Sequence, residues 1–334
     1  MLTDNQSKVI LATEEMADLG ERMAGRLAER DRSFGLAAVK TVRFANGEIV
    51  TRIAETIRRR QVFFLTSLQV PDPNTALMRL LIANDAIARA SADSLTLVLP
   101  SMSYLRQDRK TGSREPITAR LMADLLQLNG RVARVLTFDL HSDQAQGFFT
   151  IPVDNLLAAF VQAPYFKSLY GGDYRKVVVV SPDFGGAIRA RRFAELLGVP
   201  VYVIDKRRVK PNQAEVINFV GGNIAGKNVI LYDDMIDTGG SIVAAANEAR
   251  RRHARSVTAV ATHRIFSPKD GKSAEQRLKD AGVNVVVTES IPCSPEYRAE
   301  HRDWLTVLPL DEFLAEAVHQ ASTVGGSVSA LFGK

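Results

Sequence analysis

Among 334 residues there is a single cysteine, Cys293. One thiol excludes an internal disulfide framework and a cysteine-built zinc site. No uninterrupted apolar run reaches the roughly 20 residues that a helix needs to cross a bilayer, so no membrane role is expected. The first residues, MLTDNQSKVILATEEMADLG, lack the basic-then-apolar order of a secretory signal, and the expected location is the cytoplasm. Low-complexity segments are absent, and no helix-turn-helix segment stands out ahead of Val42, which argues against a DNA-binding module. What remains is the composition of a packed protein, 46% hydrophobic and 24% charged, with length enough for two domains. Lys and Arg total 43 against 37 Asp and Glu, a net charge of +6. So modest a basic excess suits anionic small molecules at least as well as nucleic acid, and much of it is ordinary surface charge. No nucleic-acid partner is expected.

Short β-rich apolar runs alternate with amphipathic stretches. VFFLTS, TLVLPS, RVLTFDL, KVVVVSPD, VYVIDK, NVILYDD, VTAVATH and NVVVTES read as strands, and being apolar throughout they read as buried on both faces. In EPITARLMADLLQLNG, the spacing of Ile117, Leu121, Leu125 and Leu128 predicts a helix with Gly130 as its C-cap; SIVAAANEARRRH predicts another, with Ser241 as N-cap. Such alternation predicts an α/β protein with mostly parallel sheets covered by helices. Ten or so strands exceed one compact small sheet, so two similar halves are expected, meeting near IPVDNLLAAF. Between strands, DKRRVKPNQAEVINF is polar, basic and contains Pro211, which predicts a mobile excursion.

The stretch VILYDDMIDTGGS, Val229 to Ser241, places carboxylates beside a loop suited to phosphate. Ligands of open parallel sheets bind beyond the carboxyl ends of the strands, where Asp233 and Asp234 are expected. The loop Asp237, Thr238, Gly239, Gly240 and Ser241 then enters a helix, so backbone N–H groups, two hydroxyls and the positive helix end can converge on a phosphate. The carboxylates are better suited to sugar hydroxyls or to a divalent cation that the phosphate also ligates. A phosphorylated ribose with Mg²⁺ meets both demands. An acidic strand end followed by an ordinary turn is the plainer alternative.

This stretch resembles the phosphoribosyl-pyrophosphate signature of the type I phosphoribosyltransferase fold. With SYLRQDRKTGSREPITARLMADLL, TFDLHSDQAQGFFTIPVDNL and VVVVSPDFGGAIRARRFAELLGVPVYVIDKRRVKPNQAEV, the chain resembles the ribose-phosphate diphosphokinase family from about Val42 onward. The resemblance implies two phosphoribosyltransferase-like domains. Residues 1–156 would carry the ATP segments and oligomer contacts, and residues 157–334 the ribose-phosphate loop and a catalytic flexible loop. It implies transfer of the β,γ-diphosphate of ATP to the 1-hydroxyl of ribose 5-phosphate, with Mg²⁺ as cofactor and AMP released.

The resemblance also assigns residues. Lys206 and Arg208 would close over the triphosphate and stabilise charge in the transition state; a solvated charge run is the plain reading of that segment. His141 and Asp183 would bind the Mg²⁺ of ATP, partly through water. Arg106 and Gln107 would hold ATP, with Asp154 in the same region. Phe44, Asn46 and Glu48 resemble an adenine pocket contributed by a neighbouring subunit, with the ring stacking on the base and the polar pair accepting from its amino group. A homo-oligomer built from dimers, up to a hexamer, would follow. Thr56, Arg58, Ser113, Arg114, Ser327, Ser329 and Phe332 match a regulatory phosphate or ADP site, though residues this polar are also ordinary surface.

Several positions depart from the family pattern. PSMSYLRQDRK replaces an aromatic, proline-rich lead, Arg264 stands at a glycine position, Arg79 replaces a usual Glu, and LATEEM replaces a Ser-Gly-Ser turn. Ser241 takes the place of the usual Thr and keeps the hydroxyl. None removes a proposed metal or catalytic group. They leave open a larger acceptor such as ADP-ribose; a non-catalytic partner subunit is a competing reading, and a purine-sensing regulator would need a DNA-binding module. Retention of His141, Asp183, Lys206, Arg208, Asp233 and Asp234 together favours the enzyme.

Overall fold

In a computed structural model, residues 2–128, 131–207 and 216–333 are described, with backbone alone for 205–207 and 216–218. The chain forms two compact units, Met1–Leu157 with Ser290–Pro292 and Pro309–Lys334, and Ala158–Glu289 with Cys293–Leu308. The leading segment of the first unit ends at Leu157. The last segment does not follow the expected span of 157–334, because it groups with the N-terminal residues.

The first unit contains β1 (Lys8–Thr13), α1 (Ala17–Arg30), β2 (Phe34–Arg43), β3 (Ile49–Ile53), β4 (Gln61–Leu65), α2 (Pro73–Arg89), β5 (Ser94–Leu99), α3 (Thr118–Leu126), β6 (Val132–Phe138) and β7 (Val153–Leu156). Its sheet order is β3-β2-β1-β4-β5-β6-β7, parallel except for the β2–β3 hairpin at one edge. The second unit contains α4 (Ala159–Tyr170), β8 (Val177–Ser181), α5 (Ala187–Leu197), β9 (Val201–Arg207), β10 (Val216–Val220), β11 (Asn228–Ile236), α6 (Gly240–Arg251), β12 (Ser256–Arg264), α7 (Ala274–Asp280), β13 (Asn284–Thr288), α8 (Pro295–Glu300) and β14 (Leu305–Leu308). Its order, β10-β9-β8-β11-β12-β13-β14, repeats the first, again with an antiparallel edge pair. All eight strands read from the sequence are present, joined by six others among the described residues.

The apolar runs are explained by burial on both sheet faces. In the second unit Val178, Val180 and Leu231 face a core with Ala245 of α6 and Leu278 of α7, while Val177, Val179 and Ile230 face another with Phe166 and Phe193. Successive residues alternate between the two cores, so no polar face is left to write a period of two into the sequence. Helix α9 (Asp311–Ser322) belongs to the first unit, where Asp311, 5% exposed, accepts from Arg22 Nη1 at 2.7 Å and also from Arg26.

Two helix details differ from expectation. α3 buries Ala119, Met122, Ala123 and Leu126, leaving Leu121 and Leu128 exposed. Adjacent stripes were both apolar, and the one carrying Ala119, Met122, Ala123 and Leu126 faces the core. Gly130 lies outside the described residues, and α3 is capped at Gln127. In α6 the N-cap is Gly239, in the left-handed region at φ 77°, which moves Ser241 from the expected cap into the first turn.

Candidate active site

β11 outruns its neighbour. Its pairing with β8 stops at Leu231 opposite Val180, while pairing with β12 continues to Ile236 opposite Arg264. Asp233 and Asp234 sit in this overhang, at the carboxyl edge where α/β sheets take ligands. Asp234 is 2% exposed, and its backbone N–H donates to Asp233 Oδ1 at 2.9 Å. Burial, then the neighbouring Asp234 and also Asp183, push the Asp233 carboxyl well above the usual carboxylate range. Arg189 of α5 answers part of this charge, with Nη1 3.3 Å from Asp234 Oδ1 and 3.9 Å from Asp233 Oδ1. The sequence reading missed Arg189. Its signal was a basic residue in the first turn after SPDFGG, where a helix end alone would favour acids.

Asp183 lies in the turn between β8 and α5. Its Oδ1 accepts from Gly186 N–H at 2.9 Å and its carbonyl from Ser181 Oγ at 2.7 Å. A Cβ on Gly186 would stand 2.9 Å from Ser181 Oγ, 3.6 Å from Asp233 Oδ1 and 3.8 Å from Asp183 Oδ1. Glycine is therefore what lets this turn approach both carboxylates. The loop Asp237–Ser241 follows directly, with Thr238 half-buried and Ser241 exposed. A carboxylate group beside an open glycine loop at a helix start can hold sugar hydroxyls on one side and phosphate on the other.

The remaining expected residues are distributed as follows. Lys206 lies on β9, its backbone opposite Ile217; Arg208 lies outside the described residues. In the first unit, Arg106 is exposed and Gln107 half-buried, the latter's carbonyl accepting from Ala119 N–H at 3.1 Å. His141 is exposed just beyond β6. Asp154 on β7 is engaged by Arg134 at 2.5 Å, so its carboxylate already has a cationic partner. Phe44, Asn46 and Glu48 form the tip of the β2–β3 hairpin, where Asn46 Oδ1 accepts from Glu48 N–H at 3.1 Å and Phe44 is 52% exposed. Thr56, Arg58, Ser113, Arg114, Ser327 and Ser329 are all exposed, Ser327 and Ser329 sharing a 3.0 Å hydroxyl contact, and Phe332 packs 6.2 Å from the Phe313 ring. Among the described residues, no group of three or more His, Cys, Asp or Glu converges as a self-contained metal site.

The second unit is thus a doubly wound α/β domain with a carboxylate pair and a glycine loop at the carboxyl edge of its sheet. Residues 8–130 match the model of the N-terminal domain of ribose phosphate pyrophosphokinase, and residues 153–296 match the phosphoribosyl transferase domain. The chain is 47% identical over 290 residues to the ribose-phosphate pyrophosphokinase of Bacillus caldolyticus, covering 87% of this chain and 88% of that one. With the Pasteurella multocida enzyme of the same name it shares 44% over 313 residues, 93% and 95% of the two chains. The crystal structure of phosphoribosylpyrophosphate synthetase from Mycobacterium smegmatis superposes with a TM-score of 0.82 at 38% identity, covering 94% of this chain and 98% of that one. The chain belongs to the ribose-phosphate pyrophosphokinase family. Both units are phosphoribosyltransferase-like α/β domains.

Proposed function

We propose that the chain transfers the β,γ-diphosphate of ATP to the 1-hydroxyl of ribose 5-phosphate, giving phosphoribosyl pyrophosphate and AMP. The observation that carries this reading is the carboxylate pair Asp233 and Asp234 running into the glycine loop at the start of α6, within a chain of this family. The carboxylates accept from the ribose hydroxyls; the loop N–H groups with Thr238 and Ser241 hold the 5-phosphate. Lys206 and Arg208 stabilise charge on the transferred diphosphate, and Arg106 and Gln107 orient ATP.

Mg²⁺ fits the donors present. Asp233, Asp234 and Asp183 gather negative charge in a partly buried place, where Arg189 Nη1 stands 3.3 Å from Asp234 Oδ1. The chain's own groups do not complete a coordination shell, as suits a hard cation that keeps waters and phosphate oxygens. Asp183 in the second unit and His141 in the first are each proposed to ligate Mg²⁺, which when bound neutralises the triphosphate. The exposed Phe44 at a hairpin tip supports an adenine pocket completed by a neighbouring subunit, hence a homo-oligomer. Among the described residues no helix is long and apolar enough to cross a membrane, and a cytoplasmic location is proposed.

The test supplies ATP and Mg²⁺ with ribose 5-phosphate or with ADP-ribose, reading nucleotide and sugar products by mass spectrometry. AMP with a diphosphorylated ribose 5-phosphate is expected. ADP with a monophosphorylated sugar would overturn the assignment, and product only from ADP-ribose would move the acceptor.

A further inference from the structure

We infer that Arg277 of α7 is a positioning residue for the ribose-phosphate loop, fixing the Thr238–Gly239 peptide so that its N–H faces the phosphate. This rests on the ribose-phosphate reading of that loop. Arg277 Nη1 donates to the Thr238 carbonyl at 3.2 Å. That peptide is trans, since Val70–Pro71 is the cis bond among the described residues. A trans peptide is planar with C=O and N–H opposed, so turning the carbonyl toward Arg277 aims the Gly239 N–H away from α7.

The same helix closes the back of the loop. A Cβ on Gly239 would meet Leu278 Cγ at 3.4 Å and the Ala274 carbonyl at 3.7 Å, whereas one on Gly240 would meet, beyond its chain neighbours and its own helix backbone, Thr238 Oγ1 at 3.8 Å. One side is braced and the other open, as a phosphate cradle requires. With φ of 77° at Gly239, a side chain there would be strained as well as crowded.

α7 is itself anchored. Tyr297 of α8 donates its hydroxyl to Glu275 Oε1 at 3.0 Å, and the Arg264 guanidinium lies 4.6 Å from the centre of the Tyr297 ring. Arg264, the departure from glycine in the family pattern, therefore reaches the loop through Tyr297, Glu275 and the helix that carries Arg277. Anchoring matters because a hydrogen bond from a freely rotating arginine would orient the peptide weakly.

The experiment compares wild type, Arg277→Ala, Arg277→Lys and Tyr297→Phe in steady-state kinetics with ribose 5-phosphate and ATP varied separately, alongside calorimetric binding of inorganic phosphate. Lys279→Ala, on an exposed position of the same helix, is the control. Arg277→Ala should raise the KM for ribose 5-phosphate about 10-fold or more, the scale of a lost charged hydrogen bond, with the KM for ATP within about 2-fold. Arg277→Lys should recover part of the loss, and Tyr297→Phe should give a smaller rise in the same constant. Unchanged ribose 5-phosphate KM and phosphate binding in Arg277→Ala, or an equal rise for both substrates, would overturn the inference. If that variant does not fold, an unchanged KM in Tyr297→Phe does so. A wild-type chain that binds neither ribose 5-phosphate nor phosphate would instead remove the functional reading, and this inference with it.

Discussion

At the scale of single residues, Asp233 and Asp234 are costly where they stand, one nearly inaccessible and the other with its carboxyl pushed up by burial. Asp233→Asn with Asp234→Asn should abolish ribose 5-phosphate binding and its response to Mg²⁺, while inorganic phosphate at the Asp237–Ser241 loop binds as well or better, because removing negative charge relieves repulsion. Titration calorimetry with each ligand, with and without Mg²⁺, checks this; weaker phosphate with unchanged sugar affinity would reverse the roles. In the first unit, Asp31 is lowered from 3.8 to about 2, first by its hydrogen bond from Lys8 and then by Ser33. A depressed carboxyl binds fewer protons folded than unfolded, so its contribution is present above the ordinary value and is lost as pH falls through that value toward about 2. Lys8→Met should therefore lower the thermal midpoint at pH 6 and lose most of that effect near pH 2. An equal deficit at both pH values would assign it to packing against Phe34, whose ring centre lies 5.1 Å from Lys8 Nζ.

Elements are held in place by buried polar links as well as by apolar contact. Tyr232, fully buried, stacks on Phe193 with ring centres 4.3 Å apart, and its hydroxyl donates to Gln162 Oε1 at 2.8 Å. Gln162 Nε2 in turn donates to the Ala261 carbonyl at 3.0 Å, so α4, β11 and β12 are tied directly beneath the site. Tyr232→Phe should cost about 1–3 kcal/mol in urea unfolding, since it leaves a buried acceptor short of its donor; an unchanged midpoint would show that Gln162 finds another. In the first unit two departures from the family pattern meet. Arg79 Nη2 lies 2.5 Å from Glu15 Oε1 and donates to the Val70 carbonyl at 2.8 Å, while Thr13 Oγ1 donates to the same carboxylate oxygen at 2.7 Å. Each change taken alone would bury a charge without its partner.

Across the whole molecule the same strand order occurs twice, with β4 holding in the first sheet the place that β11 holds in the second. The connections that follow them differ. After β4, Asp72 Oδ1 accepts from the N–H groups of Asn74 and Thr75, both at 3.0 Å, so the start of α2 carries the chain's own carboxylate. After β11, the helix start is glycine, without a side-chain cap. Ribose 5-phosphate should accordingly bind with a stoichiometry of one per chain; two equivalents in calorimetry would show that the first unit keeps a working copy.

Local pattern was enough for the strands, the class of fold and the glycine turn that opens α6, because apolar runs, glycines at a helix start and adjacent carboxylates act over a few residues. The duplication was legible from strand number. Long-range packing decided the rest. Which of two apolar stripes of α3 turned inward depended on the sheet opposite it, and the return of α9 to the first unit on charges at Arg22, Arg26 and Asp311 that lie some 285 residues or more apart in sequence. Arg189 and Arg277 escaped notice for the same reason. Each meets a partner, Asp234 or the Thr238 carbonyl, that only the folded sheet brings within reach, whereas the Asp233–Ser241 stretch is contiguous in the chain.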